Sequence, residues 1–185
     1  MKCTVQQLSK LIEDYLDNIG ECVHKRRWEK KYIPTHAPYN NSDDCYHKWL
    51  DWVDDNFERL RELPTFEAIW EELNNKKMKG IGPLTKYDTA TLLAFPMDKF
   101  PKNVHLNAGA ARGAKELGVF EFIVEKQVFV DICPAFQKMT PAQIEDFLCI
   151  YYPYLSGDQQ GIDRLENMLK KCCHKGRKSR CCCSR

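Results

Sequence analysis

Apolar residues recur at helical spacing along most of this chain. Val5, Leu8, Leu11, Ile12, Tyr15, Leu16 and Ile19 predict a helix over 5–30, with a break available at Gly20. Pro34, Pro38 and the run Asn40-Asn41-Ser42-Asp43-Asp44 supply turn chemistry. Trp49, Leu50, Trp52, Val53, Phe57 and Leu60 then mark a helix over 45–63, with Ser42 or Asp43 as its cap. Pro64-Thr65 restarts the chain into a short helix over 66–73. Tyr87, Ala90, Leu93 and Ala94 outline another over 85–95, which Pro96 stops.

The second half of the chain continues in the same way. Alanine and glycine crowd 108–118, which predicts a helix pressed closely against a neighbour. Val, Phe and Ile over 120–130 suit a strand and a helix equally. Thr140, Pro141 and Gln143 spell a capping box with proline at the first helical position. Ile144, Phe147, Leu148 and Tyr151 are the buried face of the helix it opens. Leu165 and Leu169 mark a last amphipathic helix from Ile162 to about Lys170. Helices far outnumber plausible strands. The expected class is therefore all-α, a compact orthogonal helical bundle forming a single domain over 1–169.

At 185 residues and 43% hydrophobic, the chain is long and apolar enough to bury a core. Its formal net charge of +2 excludes a wholly basic nucleic-acid coat but leaves room for a local positive patch. No apolar run is long enough to span a bilayer, and the first residues hold no signal-peptide core. The expectation is an intracellular protein, cytoplasmic or nuclear. Of ten cysteines, five (Cys172, Cys173, Cys181, Cys182, Cys183) crowd into the last fourteen residues. The others (Cys3, Cys22, Cys45, Cys133, Cys149) stand singly, as expected of reduced thiols.

Residues 170–185 form a basic, cysteine-rich tail without hydrophobic periodicity, expected to be flexible. Added phosphate affinity is its first-ranked use. Acylation, which would associate it with a membrane, is second. Zinc is third, because adjacent cysteines fit tetrahedral spacing poorly. No cofactor and no metal are expected. The basic stretch His24–Lys31 around Trp28 suits either stacking on bases or a plain exposed helix end.

The densest chemistry lies in Met78-Lys79-Gly80-Ile81-Gly82-Pro83-Leu84-Thr85. Two glycines flank one apolar residue between predicted helices. Glycine accepts positive φ and lets backbone approach a surface closely, while Ile81 packs inward and locks the bend. A helix opening just beyond it would turn unpaired N–H groups toward a phosphate. Lys77, Lys79, Gly80, Gly82, Thr85 and Lys86 are the candidates to grip such a backbone.

This segment resembles the hairpin of the helix-hairpin-helix superfamily, which includes the base-excision DNA glycosylases; the matching unit spans about 66–95. The resemblance implies contact with DNA or RNA phosphates without strong sequence preference. Where the glycosylases carry a catalytic lysine this chain has Leu84, and His105 stands where an aspartate would be. Lys86, Asp88 and His105 are thus the catalytic residues to test for glycosylase or lyase chemistry. The combination of the glycine turn with Tyr87–Ala90, Val104–Gly109 and Glu145–Tyr151 also looks like a group of bacterial proteins to which no activity attaches.

Polar residues inside otherwise apolar segments add Tyr87, Asn107, Arg112, Glu145 and Asp146 as pocket candidates. Each has a plainer alternative. His105 reads as a hydrogen-bonded structural residue, Glu145-Asp146 as the solvated first turn of a helix, and Asp88 as a cap or a partner of Lys86. Besides a nucleic-acid binder or a glycosylase-like enzyme, a small-ligand or protein-binding helical domain with a purely structural turn fits the same residues.

Overall fold

The computed structural model describes residues 3–17 and 43–174. The described residues form ten α-helices and one two-stranded ribbon. In chain order these are α1 (Val5–Tyr15), α2 (Asp43–Asp55), α3 (Phe57–Glu62), α4 (Phe66–Asn75), α5 (Pro83–Ala94), β1 (Asn103–His105), α6 (Ala108–Glu116), β2 (Ile123–Glu125), α7 (Lys126–Ile132), α8 (Pro141–Ile150), α9 (Tyr152–Ser156) and α10 (Gln159–His174). Short 3₁₀ turns cover Phe95–Met97 and Pro134–Lys138. The break at Gly20, the Trp28 segment, the cap at Ser42 and tail residues 175–185 lie outside the described residues.

Side-chain caps set three of the helix starts. The Thr140 hydroxyl accepts from the Gln143 amide at 3.2 Å, and the Thr140 amide donates to the Gln143 side chain at 2.7 Å. Thr4 and Gln7 repeat this reciprocal box at α1. Thr65 caps α4 by accepting from Ala68 N at 3.1 Å.

The described residues are mainly helical, as expected, with one short ribbon in which β1 and β2 pair antiparallel, His105 opposite Ile123 and Asn103 opposite Glu125. Three expectations change. The ambiguous 120–130 segment is both things in turn, strand then helix. The helix expected over 45–63 is two. Asn56 leaves helical geometry, and its side-chain amide joins its backbone N–H on the Trp52 carbonyl, at 2.8 and 3.2 Å. Finally, α10 runs to His174, past the expected start of the tail.

Two apolar clusters organise the described residues. One is built on Leu8, Ile12, Tyr15, Val104, Phe129, Phe136, Phe147 and Leu148. Here Tyr15 and Phe136 both meet Phe147 edge-on, at 5.8 and 5.6 Å between centroids. The other holds Trp49, Leu60, Phe66, Ile69, Leu73, Ile81, Tyr87 and Phe95. Helix α8 reaches both, with Ala142 in the second cluster and Ile144 and Phe147 in the first. It also packs on α6 and β1. The expected close approach is present there: a Cβ on Gly113 would lie 2.3 Å from the Leu148 carbonyl oxygen.

Candidate functional site

Two places carry polar chemistry, an exposed turn and a buried row. The turn joins α4 to α5, which pack against each other. Gly80 is exposed and takes φ +86°, a conformation that favours glycine. Ile81 is buried in the second apolar cluster. Its amide donates to the Met78 carbonyl at 3.2 Å, closing the bend. Gly82 is extended and caps α5, Pro83 occupies the first helical position, and no atom lies within 4 Å of where a Gly82 Cβ would sit. The helix therefore starts at Pro83, ahead of the expected Thr85. Proline lacks an N–H and loses nothing where the helix has no acceptor to offer.

Lys77 and Lys79 project from this turn into solvent, and Thr85 is half-buried. Lys86 is buried, and its ammonium donates to the Asn74 carbonyl at 2.9 Å, tying α5 back to the end of α4. Burial first, and the Lys77 charge second, hold its ammonium below the usual lysine range. The expected partner Asp88 is not where this ammonium goes.

The buried row starts at β1. Along 104–107 the side chains alternate: Val104 and Leu106 enter the first apolar cluster, while His105 and Asn107 form the intervening polar set. His105 is 2% exposed, and three rings surround its imidazole. Tyr87 stacks on it at 5.1 Å, and Trp70 and Phe66 meet it edge-on at 5.0 and 5.5 Å. Burial drives its pKa from 6.5 to about 4, against a smaller upward pull from Glu67. The imidazole is therefore neutral at pH 7. Neither ring nitrogen has a hydrogen-bond partner in the structure, so the plainer hydrogen-bonded role does not apply.

Asn107 is equally buried, and it caps α6 in position only, since its side chain makes no cap hydrogen bond. Both of its amide atoms lack partners, as does the indole N–H of Trp70. Ala108, immediately after it, sits at φ +38°, a left-handed conformation that strains a residue bearing a Cβ.

The remaining candidates divide. Asp88, Glu145 and Asp146 are all buried, so Glu145-Asp146 is not the solvated face of α8. The Asp88 carboxylate adds to burial in raising the Tyr46 phenol above its ordinary pKa. Arg112 stays exposed on α6, its guanidinium 5.1 Å from the ring centre of Tyr152. Tyr87 and His105 are thus brought together, while Arg112 is engaged elsewhere. Trp70 carried no signal in the sequence, because a tryptophan on an amphipathic helix reads as core.

Among the described residues no cluster of three or more His, Cys, Asp or Glu could hold a metal ion. No described helix is long and apolar enough to cross a membrane. Compared with protein-family models, curated proteins and solved structures, the chain matches none.

Proposed function

We propose that this protein binds a nucleic-acid backbone at the turn between α4 and α5, without strong sequence preference, in the manner of a helix-hairpin-helix. The observation that carries this reading is the division of the turn. Ile81 is anchored in the interior, while Gly80, Lys77 and Lys79 face solvent beside the N-terminus of a twelve-residue helix. Such a terminus carries about half a positive charge and favours a phosphate. Lys77 and Lys79 add exposed positive charge beside that terminus.

Gly82→Glu tests the proposal. The space around this position is open, and a carboxylate at a helix N-terminus is favourable, so the variant keeps the fold. It also puts a negative charge where the phosphate would sit. Wild type should bind single- or double-stranded DNA or RNA with log affinity falling linearly in log salt, by about 0.9 per duplex phosphate neutralised. Gly82→Glu and the pair Lys77→Glu, Lys79→Glu should abolish binding. Binding that ignores salt, or that survives these changes, would remove the turn from the function.

A lyase reading is second: Lys86 is the α5 lysine next to the turn, its amine 2.9 Å from the Asn74 carbonyl, and a lyase needs such an amine, freed of its proton, to attack a sugar carbon. Borohydride trapping on abasic duplex DNA, with Lys86→Met as control, decides it.

A further inference from the structure

We propose that His105 and Asn107, with the indole N–H of Trp70, form a binding site for a small neutral planar molecule carrying a hydrogen-bond donor and acceptor side by side, as an aromatic carboxamide or lactam does. The proposal does not depend on nucleic-acid binding at the turn.

Position comes first. Residues 105 and 107 follow one another on one side of an extended segment whose other side, Val104 and Leu106, is committed to the core. Both side chains are at least 97% removed from solvent, yet the two nitrogens of His105 and the two amide atoms of Asn107 have no hydrogen-bond partner. The buried Nε1 of Trp70, whose ring lies 5.0 Å from the imidazole, has none either. More than about 90% of buried polar groups in folded proteins are paired, because one left unpaired has given up its hydration for nothing. An unpaired imidazole, with an unpaired indole N–H on the ring beside it and an unpaired amide two residues along the same side of the chain, points to a ligand that supplies their partners.

Chemistry narrows the ligand. Trp70, His105 and Asn107 each offer an N–H, while the second imidazole nitrogen and the Asn107 oxygen accept. A ligand meeting both kinds needs donors and acceptors on neighbouring atoms. A carboxylate would leave both acceptors unmet and would face Glu67, whose charge already reaches His105. A saturated ammonium would leave the donors unmet. The rings of Phe66, Trp70 and Tyr87 around the imidazole favour a flat partner. Trp70 is half-buried and touches the exposed Phe122, 6.4 Å between centroids, so the row lies just beneath the surface at these two rings.

The test uses the full chain labelled with ¹⁵N-histidine, the His105 ring signals being assigned by their loss in His105→Asn. Benzamide and 2-pyridone are the probes; benzoate and toluene are the controls. Saturable shifts of the His105 ring nitrogens with benzamide or 2-pyridone, absent with benzoate and toluene, are expected. Asn107→Leu should abolish those shifts while leaving the melting temperature equal or higher, because it removes unpaired polar atoms at nearly constant shape. Equal response to toluene or benzoate overturns the proposal. So does no response to either probe, or a response that Asn107→Leu leaves intact. A lowered melting temperature in Asn107→Leu would show that Asn107 is paired within the fold, and overturns it as well.

Discussion

The imidazole of His105 lies face to face with the phenol ring of Tyr87, 5.1 Å between centroids and 28° between planes. This contact, with Phe66 and Trp70 closing the sides, is what keeps a histidine neutral inside the protein. Its pKa is about 4 when folded and 6.5 in the unfolded chain. Between those values the unfolded state binds more protons, so stability falls as pH drops from 6.5 toward 4 and no further. Going from pH 7 to pH 4.5 should cost about 2 kcal/mol through this one group. Urea unfolding of wild type and His105→Phe at the two pH values measures it. The variant should lose correspondingly less stability on acidification, and equal losses would refute the assignment.

Gly113 and Gly109 separate two kinds of crowding on α8. A Cβ at Gly113 would strike the Leu148 carbonyl oxygen at 2.3 Å, and backbone has no rotamer to escape into. At Gly109 the obstacle is the Cys149 sulfur at 2.5 Å, which a side-chain rotation can move. Gly113→Ala should therefore lose about 1–3 kcal/mol or more, the scale of an overpacked core. Gly109→Ala should lose less, and Cys149→Ala should recover most of that loss. Thermal melts of the three single variants and the double variant decide this.

Trp49 donates its indole N–H to the Thr89 hydroxyl at 3.1 Å, and that hydroxyl donates onward to the Thr85 carbonyl at 2.8 Å. Thr89→Val keeps the shape and leaves a buried indole N–H unpaired, which should cost about 1–3 kcal/mol. Thr89→Ser keeps the acceptor and should cost less. If valine is the milder change in denaturant unfolding, this bond does not hold α2 to α5.

Lys77 bears on Lys86 through charge, while burial does the larger part of the shift. Lys77→Gln should therefore move the Lys86 pKa upward without restoring it to the ordinary lysine value. A phosphate bound at the turn should move it upward too. A ¹³C-ε lysine titration by NMR reads both, and a downward shift in Lys77→Gln would contradict the coupling.

Much of the candidate turn was legible in the sequence because its causes are local. Gly80 needs a left-handed backbone, Ile81 needs burial, and Pro83 suits a first helical position, all within four residues. The buried row was legible only as a list of names. His105 and Asn107 looked like polar residues among apolar ones, and nothing nearby in the chain foretold that the rings closing on His105 come from α4 and α5. Trp70 could not be separated from an ordinary core tryptophan for the same reason.

Sequence alone determined the helix-rich character, the capping box at Thr140 and the bend at Gly80, because each depends on neighbours one or two turns away. Only the tertiary structure decided that Asn103–His105 pairs with Ile123–Glu125, that Glu145 and Asp146 are buried, and that Lys86 turns back to Asn74. Strands of three residues carry too little periodicity to announce their partner. A polar side chain takes its role from whatever distant segment folds over it.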